Sequence, residues 1–355
     1  MKTLLINLSN IRKGGGYQVA LNLLDNLSFF KKYDCTILLS EELGNECDFH
    51  DDFKYIIFNK KSNFLKNFLR KNILAIKYNL VFTLFGPDYI LLSNNQIGGF
   101  AIPHIVYKDS PYFKLNKIHF KELFLLTIQR NIFKFFFKAL VVETNDVKDR
   151  LSSMNIKSRK NIFVVSNTLH NIFNSAKAVK SYTGEGVFKF IYPTSFYPHK
   201  NLEILREVDS LISNKDIEIY TTLPNSIFTK LFDGCKNIKN FGELNPKNLL
   251  NKLSCCNGML NISLLECFSA NYIEAFKMNL VLVCSNLDFA TTICKNGAIY
   301  TDPNSADDIA NKLILVKSDS ILRNNLISKG SYLLKSFENS FSRVDKFSKI
   351  CDKYV

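Results

Sequence analysis

Gly258-Met-Leu-Asn-Ile262-Ser-Leu-Leu-Glu266-Cys-Phe-Ser-Ala-Asn-Tyr-Ile-Glu274-Ala-Phe-Lys-Met-Asn279-Leu280-Val-Leu-Val-Cys284 reads as a strand, a loop, a helix and a second strand. Gly258–Ile262 and Leu280–Cys284 are short apolar runs, and Asn271–Lys277 has helical spacing and stops at Asn279. A helix placed between two such strands makes them parallel neighbours in a sheet. The same alternation extends in both directions. Toward the C-terminus come the strand Ala298–Tyr300 and the helix Ala306–Val316; upstream come the strands Val187–Tyr192, Ile217–Thr221 and Ile238–Phe241, with helices Leu202–Ile212 and Pro246–Leu253. Before a polar stretch at Ser175–Gly186, strands are expected at Thr3–Leu8, Thr36–Ser40, Tyr55–Phe58, Leu80–Leu84, Leu140–Glu143 and Ile162–Val165. Helices are expected there at Gln18–Leu27, Asn63–Tyr78, His119–Lys138 and Asp146–Met154.

The pattern predicts two α/β domains, residues 1–174 and 175–339, each with a parallel sheet covered by helices on both faces, followed by a helix over 340–355. Open α/β sheets bind ligands beyond the carboxyl ends of their strands, so tandem domains place a ligand in the cleft between them. The strand-to-helix turns are therefore where chemistry is expected.

Composition narrows the classes. The chain of 355 residues carries 46 Lys and Arg against 32 Asp and Glu, a formal charge of +14, with hydrophobic residues at 46%. That apolar fraction excludes general disorder, and no apolar run reaches the ~18 residues of a membrane span. The N-terminus reads as a first strand rather than a secretory signal, so a cytoplasmic location is expected. Nine cysteines with no C-x-x-C pair and five scattered histidines argue against a disulfide framework or a local metal site.

Three turns stand out. The first, Ser9-Asn-Ile-Arg-Lys-Gly14-Gly15-Gly16-Tyr17, lets backbone approach a ligand where a helix begins, a favourable place for an anion. The second is the pair Glu266 and Glu274, separated by seven residues. Asn271-x-x-Glu274 is also a capping-box pattern, which offers a purely structural account of Glu274. The third is Tyr192-Pro-Thr-Ser195-Phe-Tyr-Pro-His199-Lys200-Asn201.

The second turn resembles the E-x7-E signature of retaining glycosyltransferases with the GT-B fold, glycosyltransferase family 4, of the kind that builds bacterial surface polysaccharides. Ser285-Asn286 and Gly297-Ala-Ile-Tyr-Thr-Asp302-Pro303 follow in the order that family shows. The resemblance implies two Rossmann-like domains facing across a cleft, and a last helix that returns to the first domain. It implies that Glu274 accepts hydrogen bonds from the ribose of a nucleotide sugar, and that Glu266 lies near the sugar. Backbone amides of Phe268, Ser269, Ala270, Asn271 and Tyr272 would meet the sugar and diphosphate.

By the same resemblance Lys200 clamps the diphosphate, with His199 and Asn201 beside it. The usual Arg position holds Ser195, for which His199 or Arg12 would substitute. Gly242 and Leu244 in Phe241-Gly-Glu-Leu244 resemble the turn beside the nucleotide base. Gly15 and Gly16 are ligand-binding candidates on their backbone freedom alone, since the first turn does not fit G-x-G-x-x-G and a flexible turn is its other reading. Phe82-Thr-Leu-Phe-Gly86-Pro87-Asp88-Tyr89, Gly98-Gly-Phe-Ala-Ile-Pro103-His104 and Asp109-Ser-Pro111 resemble a bacterial subset of the family, with His104 the catalytic candidate on the acceptor side.

The implied activity is transfer of a sugar from a nucleotide diphosphate donor to a hydroxyl of a lipid-linked cell-surface glycan such as O-antigen or capsule, with no metal and no cofactor. No D-x-D motif is present, which argues against the metal-dependent alternative fold. A nucleotide-sugar epimerase of the same fold, or a non-catalytic binding protein given Ser195, remain open readings. Basic and aromatic residues alternate over Lys60 to Lys77 and Lys121 to Lys138. For either helix alone a core-facing stripe with a solvated rim is the favoured reading, but two such sets in the acceptor-side domain also make the pattern of helices resting on an anionic membrane surface. A peripheral protein on the inner face of the cytoplasmic membrane follows as an expectation, and no motif supports nucleic-acid binding.

Overall fold

The computed structural model describes residues 2–59, 63–116, 119–179 and 182–355. Lys60 and Lys61 of the basic cluster, and positions 180 and 181 of the expected linker, lie outside the described residues. The chain divides into two compact units: Met1–Val106, Ile118–His170 and Glu338–Val355 form one, Tyr107–Lys117 and Asn171–Phe337 the other.

The first unit holds β1 (Thr3–Leu8), β2 (Asp34–Ser40), β3 (Lys54–Phe58), β4 (Leu80–Thr83), β5 (Gln96–Gly99), β6 (Ala139–Val142) and β7 (Ile162–Val164). They form one sheet in the order β3-β2-β1-β4-β5-β6-β7, every described pair parallel. Strand β1 is buried on both faces from Leu4 to Leu8, as a central strand of a helix-covered parallel sheet must be. The second unit repeats the plan with β8 (Phe188–Tyr192), β9 (Ile217–Thr221), β10 (Ile238–Asn240), β11 (Gly258–Asn261), β12 (Val281–Ser285) and β13 (Ile299–Thr301), in the order β10-β9-β8-β11-β12-β13. Each sheet reverses its winding direction once, between β1 and β4 in the first and between β8 and β11 in the second. These are two doubly wound, Rossmann-like domains.

Strand β5 is absent from the sequence reading because Gln96-Ile-Gly-Gly99 carries a single apolar side chain. Its glycines answer to crowding instead. A Cβ on Gly99 would stand 1.9 Å from the Leu84 carbonyl oxygen, and one on Gly98 2.5 Å from the Phe137 ring. The helices Asn225–Phe232, Asp288–Cys294 and Ser320–Leu334 are likewise additional to those expected.

Two segments leave the simple split of the chain. Tyr107 to Asn116, expected in the first domain, packs within the second unit because Ser110 Oγ donates to the Leu264 carbonyl and the Tyr107 ring meets Phe289 edge-on at 5.8 Å. The last helix, Ser340–Asp352, belongs to the first unit. Arg343 fixes it there by donating to Asn167 and to Glu143, and Phe347 lies 5.3 Å from the Phe82 ring.

Candidate functional site

In the second unit the switch point lies at the carboxyl ends of β8 and β11. After β8 the chain turns through Pro193 to a single 3-10 turn, Pro198–Lys200, which Asn201 ends in the left-handed region at φ 55°. Asn tolerates that conformation better than most residues, and here its amide also donates to the Pro303 carbonyl at 2.6 Å. After β11 the loop from Ile262 leads to the helix Ala270–Met278. Two bonds tie the turns together: Leu264 N–H donates to the His199 carbonyl at 2.7 Å, and Asn271 Nδ2 donates to the Pro193 carbonyl at 2.9 Å.

This tie delivers Lys200 Nζ to 2.6 Å from Glu266 Oε1, both side chains being nearly buried. Ser263 Oγ stands 2.7 Å from the same carboxylate oxygen and 2.8 Å from Asn261 Oδ1, so one of the two takes its single proton. Asn261 Nδ2 in turn donates to Ser269 Oγ at 2.8 Å. Tyr192, at the end of β8, donates to the Lys200 carbonyl at 2.8 Å and lies 3.2 Å from Ser263 Oγ; burial pushes its phenol far up. Asn261, Ser263 and Tyr192 escape sequence reading. The available signal was the pair of polar residues closing an otherwise apolar strand.

Ser269, not Asn271, stands at the N-cap of Ala270–Met278. The capping-box account of Glu274 is thereby overturned: Asn271 is inside the first turn with its amide spent on Pro193, and Glu274 lies beyond the position a capping glutamate occupies. No side chain caps this helix and no acidic residue occupies its first turn, so its positive end is not neutralised locally. One and a half turns along, the Glu274 carboxyl has no hydrogen-bond partner among the described residues. The side chain is half-buried, and the desolvation there raises its pKa to about 7. Tyr272 is fully buried with its hydroxyl unpartnered among the described residues.

The remaining candidates of this unit are more dispersed. Ser195 is exposed, and His199 stacks on Tyr197 at 5.5 Å. Phe268 meets Phe337 edge-on at 6.3 Å. Gly242, at φ 77°, and the half-buried Leu244 follow β10, two strands from β8. Phe241 beside them stacks on Tyr220 at 4.3 Å.

The first unit builds a similar cluster at its own switch point. β1 closes in Asn7-Leu8-Ser9, and Ser9 Oγ lies 2.6 Å from Asn7 Oδ1. Asp88, in the loop after β4, accepts from Asn7 Nδ2 at 2.9 Å and pairs with Lys71 Nζ at 2.6 Å, with Ser9 Oγ 3.1 Å away. The second unit's Asn261, Ser263, Glu266 and Lys200 repeat this set: Asn-x-Ser at a strand end, a carboxylate, and a lysine from another turn.

Gly14, at φ 75°, starts the helix Gly15–Leu24, which absorbs both Gly15 and Gly16 and has no side-chain cap. Gly16 packs close to the Phe85 ring. His104 sits half-buried in the short helix Pro103–Val106, and burial lowers its pKa. Arg12, a candidate substitute for the missing arginine, is paired with Glu42 at 2.9 Å. Among the described residues no three His, Cys, Asp or Glu side chains form a group that would hold a metal ion.

Two Rossmann-like domains of seven and six parallel strands make this a GT-B fold. The chain is similar in structure to a glycosyltransferase from Rickettsia africae ESF-5 (TM-score 0.72, 14% identity, covering 99% of this chain and 97% of that one). It is also similar to Anabaena Alr3699/HepE in complex with UDP-glucose (TM-score 0.73, 12% identity, 99% and 100%). A third similar structure is WaaG, a glycosyltransferase involved in lipopolysaccharide biosynthesis (TM-score 0.71, 11% identity, 98% and 99%). No family model and no curated protein matches the sequence.

Proposed function

We propose that the protein is a retaining glycosyltransferase of the family 4 type, moving a sugar from a nucleotide diphosphate donor to a hydroxyl of a lipid-linked bacterial surface glycan. The observation that carries the reading is the Lys200–Glu266 pair beside the uncapped helix Ala270–Met278, whose Glu274 carboxyl is desolvated and unpartnered among the described residues. A ribose diol supplies the two donors such a carboxylate lacks. Amides from Phe268 to Tyr272 bind the diphosphate at the helix end, and Lys200 neutralises charge on the leaving phosphate.

In the reaction the bond between the anomeric carbon and the phosphate oxygen breaks, and a bond from that carbon to the acceptor oxygen forms on the same face. The acceptor proton passes to the departing phosphate, so neither metal nor cofactor is required. Ser195, His199 and Asn201 belong to the diphosphate turn in this reading, and Gly242 and Leu244 to the base. Gly15 and Gly16 offer backbone to ligand, and His104, whose pKa burial lowers, serves the acceptor. The sugar-nucleotide complexes of HepE and the lipopolysaccharide role of WaaG support the choice of donor and acceptor class.

A thermal-shift screen against uridine, guanosine, thymidine and cytidine diphosphates, followed by transfer assays with and without EDTA, tests this. Stabilisation by one diphosphate and EDTA-insensitive transfer are expected. Conversion of the donor with no acceptor present would instead make it an epimerase, and no shift with any nucleotide would make it a non-catalytic protein.

A further inference from the structure

The helix Phe64–Ala75 is amphipathic in the reverse sense. Its inward side carries Lys71, Asn72 and Ala75. Lys71 reaches Asp88, while Asn72 Oδ1 accepts from the amides of Leu91 and Leu92, and its Nδ2 donates to the carbonyls of Phe68 and Tyr89. These polar anchors hold the helix by its hydrophilic side. The apolar side is left in solvent: Phe64 is 73% exposed, Leu65 59%, Ile73 57%, and Leu69 and Ile76 about half. Leu65, Leu69 and Ile73, with Ile56 and Leu74, line an open groove of about 590 Å³ flanked by Lys66 and Arg70. A helix that turns its leucines to water while burying a lysine has a surface that something else covers.

Charge selects the occupant. From Phe53 to Pro87 the sequence contains no acidic residue. Lys66, Arg70 and Lys77 are exposed beside the apolar stripe, and none pairs with a carboxylate among the described residues. A second copy of this chain would bring like charge against like, whereas an anionic lipid surface offers both acyl chains for the leucines and headgroups for the cations.

We propose that the outward face of Phe64–Ala75 is a membrane-docking surface that inserts Phe64, Leu65, Leu69 and Ile73 at the headgroup boundary of an anionic bilayer. The proposal adds a partner to the lipid-linked acceptor of the glycosyltransferase reading, yet stands on residues of the first unit alone, none of them a donor-site candidate.

Sedimentation with vesicles of phosphatidylcholine alone, or containing phosphatidylglycerol, tests it on the full chain and on the variant L65S/L69S/I73S. Binding to the anionic vesicles only, weakened by salt and at least about tenfold weaker in the variant, is expected, with an unchanged melting temperature. Equal binding by the variant, or no binding by the natural chain, overturns the proposal. So does light scattering that finds a dimer which the variant converts to monomer, since the occupant is then a second copy. Transfer to a water-soluble acceptor is measured in parallel. It is unaffected by the variant if both readings hold, and its absence in the natural protein would sink the enzyme reading while leaving vesicle binding to decide this one.

Discussion

Lys200 and Glu266 form an ion pair of 2.6 Å although 66 positions separate them, because two backbone-anchored turns close on one another at the ends of β8 and β11. The pair keeps a lysine positioned in advance of any ligand, and its carboxylate partner, held also by Ser263, prevents a lone buried charge.

Replacing Lys200 by alanine is expected to lower the transfer rate by about a hundredfold to a thousandfold, the scale of losing one fixed donor to developing charge. The nucleotide-induced thermal shift should shrink without vanishing, since the amides of Ala270–Met278 remain. Wild-type turnover by a folded Lys200→Ala protein would defeat the assignment.

Glu274 supplies a pH dependence. Its folded pKa of about 7 lies above the ordinary carboxylate value, so its burial is tolerated while it is protonated at low pH and costs stability as pH rises to 7. The cost is about 3 kcal/mol at most. Glu274→Gln should therefore melt higher than the natural protein at pH 8 and match it near pH 4.5. Nucleotide affinity should move oppositely, strengthening through pH 7 in the natural protein as the carboxylate ionises, and staying flat in the variant. Calorimetric melting and titration at four pH values would expose a wrong sign.

Asp88→Asn is expected to destabilise the first unit by about 3 kcal/mol, because it strands the nearly buried Lys71. Adding Lys71→Met should restore much of the loss. Urea midpoints of the single and double variants measure this non-additivity; additive losses would mean the pair is not coupled.

Gly99→Ala should cost about 3 kcal/mol or more, since the Leu84 carbonyl occupies the space of the new methyl group. A soluble variant with an unchanged melting temperature would show that β5 does not pack against the 84–86 loop as described.

Much of the architecture was legible in the chain because parallel strands buried on both faces are built around unbroken apolar runs, as Leu4–Ile6 of β1, Phe190–Tyr192 of β8 and Val281–Cys284 of β12 are. β5 was not, since its glycines serve a backbone approach that no hydrophobic pattern encodes. Glu274 was legible as half of a spaced pair, yet the sequence also permitted a capping box. Only the start of the helix at Ser269 decided against it.

The amino-acid order alone determined the alternation of strands and helices, and thus two α/β domains, because burial periodicity is a local property. It also determined the charge of the Lys60 to Lys77 segment. Which face of Phe64–Ala75 turns inward was decided by Asp88 and the 89–92 backbone, which claim Lys71 and Asn72 against the apolar stripe. The meeting of Lys200 with Glu266 was likewise decided by strand order. Both are contacts between residues remote in sequence, and periodicity holds no record of them.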